Sequence, residues 1–159
     1  MRRRWIGNVG LGLVLAACGR TPSVDASAAP EPLPARVLES GAMSALDTNP
    51  GATHEYVVDD ADQWQRLYAS HKPDGVAPAV DFAHERVVGV ELARPTGGFV
   101  VRLVEVTASS PGGTQVTYEE ATPGPDAVTI QVLVQPHFFA AIPIRPGPVT
   151  FRHLTTIRN

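Results

Sequence analysis

Beyond Val87, every apolar run in this chain is short and is closed by a cluster of glycine and proline. Residues 87–92 run into Arg94-Pro95-Thr96-Gly97-Gly98, residues 99–106 into Pro111-Gly112-Gly113, and residues 114–120 into Thr122-Pro123-Gly124-Pro125. Residues 128–134 end at Pro136, and residues 138–142 lead to Pro146-Gly147-Pro148 before a last run at 149–154. Proline removes a backbone donor and glycine loosens the chain, so neither continues a helix or a central strand. With 14 glycines and 15 prolines in 159 residues, this half of the chain has room only for short strands joined by turns. The run Val87-Val88-Gly89-Val90-Glu91-Leu92 reads as a buried strand. Phe99, Val101 and Leu103 share one face of an imperfectly alternating strand, and Val128, Ile130, Val132 and Val134 mark a clean period-two strand.

Upstream, short strands are expected at 36–39 and 54–58, with one helix after them. Asp60 is a suitable N-cap, with Gln63 three residues on. Asp59 and Asp62 put negative charge where the helix dipole favours it. Trp64, Leu67, Tyr68 and His71 fall at i, i+3, i+4 and i+7, one face of a 3.6-residue period, and Lys72-Pro73-Asp74-Gly75 stops the helix. The expected fold class is α+β, mainly β: an antiparallel sheet or sandwich of six to eight short strands carrying one amphipathic helix.

The N-terminus carries a different pattern. Arg2, Arg3 and Arg4 precede about 13 largely apolar residues ending Leu15-Ala16-Ala17-Cys18. A basic start, a short apolar stretch and small residues before the cut describe a secretory signal peptide, and the stretch is too short to span a bilayer. Leu-Ala-Ala-Cys resembles the lipobox of bacterial lipoproteins, in which the cysteine thiol is alkylated by diacylglycerol and the cysteine becomes the mature N-terminus, with palmitate as a typical attached fatty chain. The reading is therefore a signal at residues 1–17, a Pro/Ala-rich disordered tether at 18–34 and a β-rich domain at 35–159, with Cys18 lipidated. The localisation expected is the bacterial cell envelope, lipid-anchored, with outer-membrane sorting where the host has one.

Charge and composition exclude several functions. The signal holds three of the 13 basic residues and no acid, which leaves 10 basic against 16 acidic residues, a net of −6, in the remainder. An acidic domain without clustered cations is a poor nucleic-acid binder. Cys18 is the sole cysteine, so the domain has no disulfide and no thiolate metal site. The histidines (His54, His71, His84, His137, His153) show no close metal-ligand spacing, so no metal or other cofactor is expected. His71 suits a helix C-terminus, and His84-Glu85 and Glu119-Glu120 read as solvated surface. No serine stands in a nucleophile-elbow or Ser-x-x-Lys setting, so the domain is expected to be non-enzymatic.

Val57, then Trp64-x-x-Leu67-Tyr68-x-x-His71, Val80-Asp81-Phe82, Val87-Val88-Gly89-Val90 and Arg94-Pro95-Thr96-Gly97-Gly98-Phe99 follow one another in an order that resembles the protease complex subunit PrcB family. Pro123-Gly124-Pro125, the 128–134 segment and Pro136 continue the likeness. Phe99 departs from the family's usual Tyr, Tyr68 from Trp, and Ala93 from Gly. The resemblance implies a non-catalytic, membrane-tethered lipoprotein that binds another protein as an accessory subunit of a cell-envelope protease complex. The alternative is a stand-alone loop-based protease inhibitor, because Pro95-Thr96-Gly97-Gly98-Phe99 also looks like the Asn-Pro-Thr-Thr-Gly-aromatic loop of chagasin-type inhibitors. Either way the candidate binding residues are Arg94, Pro95, Thr96, Gly97, Gly98 and Phe99, with Pro136 and His137 nearby. On that reading Arg94→Ala leaves the melting temperature nearly unchanged, and Gly97→Val destabilises the fold if Gly97 needs positive φ.

Overall fold

In a computed structural model, residues 30–46 and 49–158 are described. The signal, Cys18 and most of the tether lie outside the described residues. Among the described residues, seven strands and one helix follow in the order β1 (Arg36–Gly41), β2 (Thr53–Val58), α1 (Ala61–His71), β3 (Glu85–Leu92), β4 (Val100–Ser109), β5 (Gly113–Pro123), β6 (His137–Pro143) and β7 (Val149–Arg158). They form a four-stranded antiparallel sheet, β1-β6-β3-β2, and a three-stranded sheet, β4-β5-β7. The mainly β class with one helix is as the sequence predicts. Among the described residues the one parallel pairing is β5 with β7.

The four-stranded sheet is the middle layer. Val88, Val90 and Leu92 of β3, with Phe138, Ala140 and Ile142 of β6, face Val101, Val106, Val116 and Tyr118 of the smaller sheet. The alternate residues Val87 and Phe139 face Trp64 and Tyr68 of α1. Burial on both faces explains why β3 and β6 read as unbroken apolar runs. Gly89 has its own reason: a Cβ there would lie 2.3 Å from Cδ1 of Phe139, so only glycine lets that ring cross β3. α1 begins where the sequence places it, since Asp60 Oδ1 accepts from the Gln63 backbone N–H at 2.7 Å. Trp64 stacks edge-on against Tyr68 and Phe139, and its Nε1–H donates to the Pro78 carbonyl.

Three expectations need correction. Residues 128–134 are no strand, despite perfect alternation. They lie outside both sheets, with a bend at Val132 and one isolated bridge from Val134 to Arg94, and only Val134 of the four alternating residues is buried. Glu119 and Glu120 are buried in β5, where each meets an arginine, and are not solvated surface. The folded part also reaches into the expected tether: Leu33 N–H donates to Val106 C=O, Ala108 N–H donates to Glu31 C=O, and Leu33 packs on the inter-sheet core. The imperfect alternation of β4 has a physical cause, a register shift between Leu103 and Glu105 that moves the inward positions from 101 and 103 to 106.

Candidate functional site

The sequence singles out the connection between β3 and β4. Arg94 N–H and C=O both pair with Val134, and Gly97 N–H donates to Ile130 C=O, so the 128–134 segment is laced to this loop. Gly98 holds the positive φ, 94°, that the paired glycines suggest; Gly97 does not, which corrects the reason given for its substitution. Pro95 and Gly98 are exposed, while Thr96 and Phe99 are half-buried.

Arg94 stands differently from expectation. Its Nε and Nη2 donate to the two carboxylate oxygens of Glu120 at 2.6 and 2.9 Å, and Nη1 donates to the carbonyls of Ala52 and Ala93. The two side chains are 13% and 6% exposed. Such a fork is committed to holding β3 and β5 together. Its guanidinium is not presented to a partner, and the expectation that Arg94→Ala spares the melting temperature is corrected. His153 Nε2 lies 3.2 Å from the same Glu120 carboxylate and its ring stacks on Tyr118, whose hydroxyl donates to Glu55. Burial, then the Glu55 contact, pushes the Tyr118 phenol well above its ordinary range.

What the loop region does present is apolar. Val128 is fully exposed, Ile130 is 70% exposed and Val132 42%. Backbone bonds at Ile130 and Val134 tie this segment to the Arg94 loop, and Val128, Ile130 and Val132 are exposed along it, with the Ile130 side chain over Gly97. Isolated exposed aliphatics need no explanation, but an aligned set does.

Pro136 and His137 do not join this surface. Both are buried: the Pro136 carbonyl accepts from Leu92 N–H, and His137 opens β6 opposite Gly41 of β1 and Glu91 of β3. His137 instead belongs to a second cluster that sequence spacing did not reveal. Its ring lies 4.3 Å from the ring of His71, at the end of α1. Glu39 of β1 completes the group; one ligand atom from each of Glu39, His71 and His137 lies within 4.8 Å of the others. His71 Nδ1 pairs with Ser44 Oγ at 2.8 Å, and the Ala45 N–H donates to the His71 carbonyl, so residues 44–45 strap the end of the helix. The Glu39 carboxylate accepts from Tyr68 Oη at 3.2 Å and from Lys72 Nζ at 3.3 Å. Burial, then the neighbouring His137, pushes His71 down to about 4, and burial lowers His137 as well, so both rings are neutral at ordinary pH. Residues 39, 71 and 137 are remote in sequence, and no local spacing could have joined them.

Comparison with curated proteins and with solved structures finds no match. The family profile described as PrcB C-terminal matches residues 93–143. That segment starts at Ala93, spans the Arg94 loop, β4, β5 and the exposed 128–132 stripe, and ends with β6. Residues 93–143 of this chain are similar to the PrcB C-terminal family.

Proposed function

We propose that this protein is a non-enzymatic accessory subunit of a cell-envelope protease complex, held to the membrane through lipid on Cys18. The family points to association with a protease complex. The observation that carries the reading is the exposure of Val128, Ile130 and Val132 on a segment tied to the Arg94 loop by backbone bonds at Ile130 and Val134. Apolar side chains preorganised on a rigid backbone lose little entropy on docking, and their burial supplies affinity. The partner-facing residues are therefore Val128, Ile130 and Val132, with Pro95 and Gly98 beside them, and Arg94 keeps the loop in place from behind.

The test is crosslinking and pull-down of the lipidated protein from its own envelope, compared with a Val128→Asp/Ile130→Asp variant. Loss of a co-purifying protease in the variant, with an unchanged melting temperature, supports the reading. Retention of the protease by the variant refutes the docking face. Stoichiometric inhibition of a protease by the purified domain would favour the inhibitor alternative, whose loop is the same Pro95 to Phe99 segment.

A further inference from the structure

His137 is 1% exposed, and its two ring nitrogens have different surroundings. Nδ1 lies 2.9 Å from the Gln135 carbonyl, which can only accept, so Nδ1 carries the proton. The lone pair is then on Nε2, which is buried and makes no hydrogen bond. An orphaned buried nitrogen is a costly feature unless something occupies it. Around it the fold gathers the second imidazole, His71, and the carboxylate of Glu39. These come from three separate elements, β6, the end of α1 and β1. The outer contacts have the form found around metal ligands: the non-ligating nitrogen of His137 is fixed by a backbone carbonyl, and Nδ1 of His71 by the Ser44 hydroxyl.

We infer that Glu39, His71 and His137 form a binding site for a borderline divalent transition-metal ion of the zinc type. Two neutral imidazoles and one carboxylate are a donor set that suits zinc and its neighbours in preference to calcium or magnesium, which take oxygen ligands. Nε2 of each histidine and one oxygen of Glu39 are the ligands. Three protein ligands leave a fourth position for water. Metal–ligand bonds of about 2.0–2.2 Å place ligand atoms about 3.3–3.5 Å apart in a tetrahedron. The three ligand atoms already lie within 4.8 Å of one another, and small side-chain rotations close them, Glu39 being partly solvent-exposed on an edge strand. Lys72 is the competitor: its ammonium lies 3.3 Å from the Glu39 carboxylate, on a side chain 54% exposed that is free to swing into water when a dication takes its place.

The experiment uses the untagged full chain, stripped with a chelator and titrated separately with zinc chloride and cobalt chloride. One equivalent of zinc should bind and raise the melting temperature, and cobalt should give the visible absorption of a low-coordinate site with nitrogen and oxygen ligands. Glu39→Gln, which keeps an acceptor for Tyr68, should weaken zinc binding about tenfold or more while the metal-free protein melts as before. Lys72→Met should strengthen it, an effect that a purely structural role for the cluster does not give. His137→Gln should abolish binding where its metal-free form is folded by circular dichroism. No uptake of either metal at micromolar concentration overturns the inference. So does uptake that Glu39→Gln leaves unchanged, which would place the ion elsewhere, for example at the exposed His84–Asp81 pair.

Discussion

Removing Arg94 tests whether the loop after β3 is held by its own ion pair. The Arg94–Glu120 pair is bidentate and almost fully withdrawn from water, with side chains 13% and 6% exposed. Truncating one partner of a buried pair costs about 3–5 kcal/mol, because the other charge stays behind in the protein interior. Arg94→Ala also removes the guanidinium bonds to the carbonyls of Ala52 and Ala93, which keep their backbone partners Ala93 N–H and Gly51 N–H, while His153 remains 3.2 Å from Glu120 as a residual partner. The residual partner sets the expectation at the lower end, about 3 kcal/mol, or a melting point lower by about 10 °C for a domain of this size. Urea unfolding followed by Trp64 fluorescence measures it, and the m value should not change. In a double-mutant cycle, Glu120→Gln introduced into Arg94→Met should cost far less than in the wild type, with a coupling of about 2 kcal/mol. If Arg94→Ala unfolds within about 0.5 kcal/mol of wild type, the pair behaves as a screened surface bridge, and Arg94 is released for partner binding.

Trp64→Ala should destabilise by about 3–5 kcal/mol, since it empties the contact between α1 and Phe139, and the folded wild type should emit well to the blue of indole in water. Gly89→Ala sets a methyl within 2.3 Å of the Phe139 ring and should cost about 3 kcal/mol or more, read by the same urea titration; a near-neutral result would show that Phe139 has another place to go. Gly98→Ala should cost about 1–2 kcal/mol for its positive φ, more than Gly97→Ala, whose new methyl lies 2.7 Å from Cγ1 of Ile130, a flexible side chain with solvent to turn into; the reverse order in thermal melts would show that the loop turns at Gly97.

How much of this was legible depends on whether a residue's neighbours are local. The helix was, because Asp60, Trp64, Tyr68 and Lys72 each act within about one turn of the next. So were the strands closed by Gly/Pro clusters. The 128–134 segment was not. Its alternation is as regular as that of any strand here, yet its Val128, Ile130 and Val132 face solvent. Periodicity reports that one side differs from the other. It does not report which side is covered, and on this segment the covered residues are Val134 and the half-buried Thr129 and Leu133, while Gln131 is exposed beside Ile130 and Val132.

The same limit governs the charged and titratable residues. Glu119-Glu120 looks like surface in sequence because the partners that make its burial tolerable, Arg102 and Arg94, come from β4 and from the end of β3. His137 looks like part of a loop because Pro136 precedes it, yet the β3–β6 and β1–β6 ladders carry it across the middle of the sheet beneath His71. In both places a non-local pairing decides whether a polar side chain is solvated, paired or left with an open lone pair. The two outcomes differ chemically. Arg94 and Glu120 satisfy each other and leave nothing for a ligand. His137 Nε2 is left unsatisfied among Glu39 and His71, three residues with donor atoms and no shared sequence motif. A family profile starting at residue 93 includes His137 but neither Glu39 nor His71. The metal site is thus a property that this chain's strand order assembles from both sides of the matched segment boundary, and Glu39→Gln separates it from the docking stripe, which lies wholly within that segment.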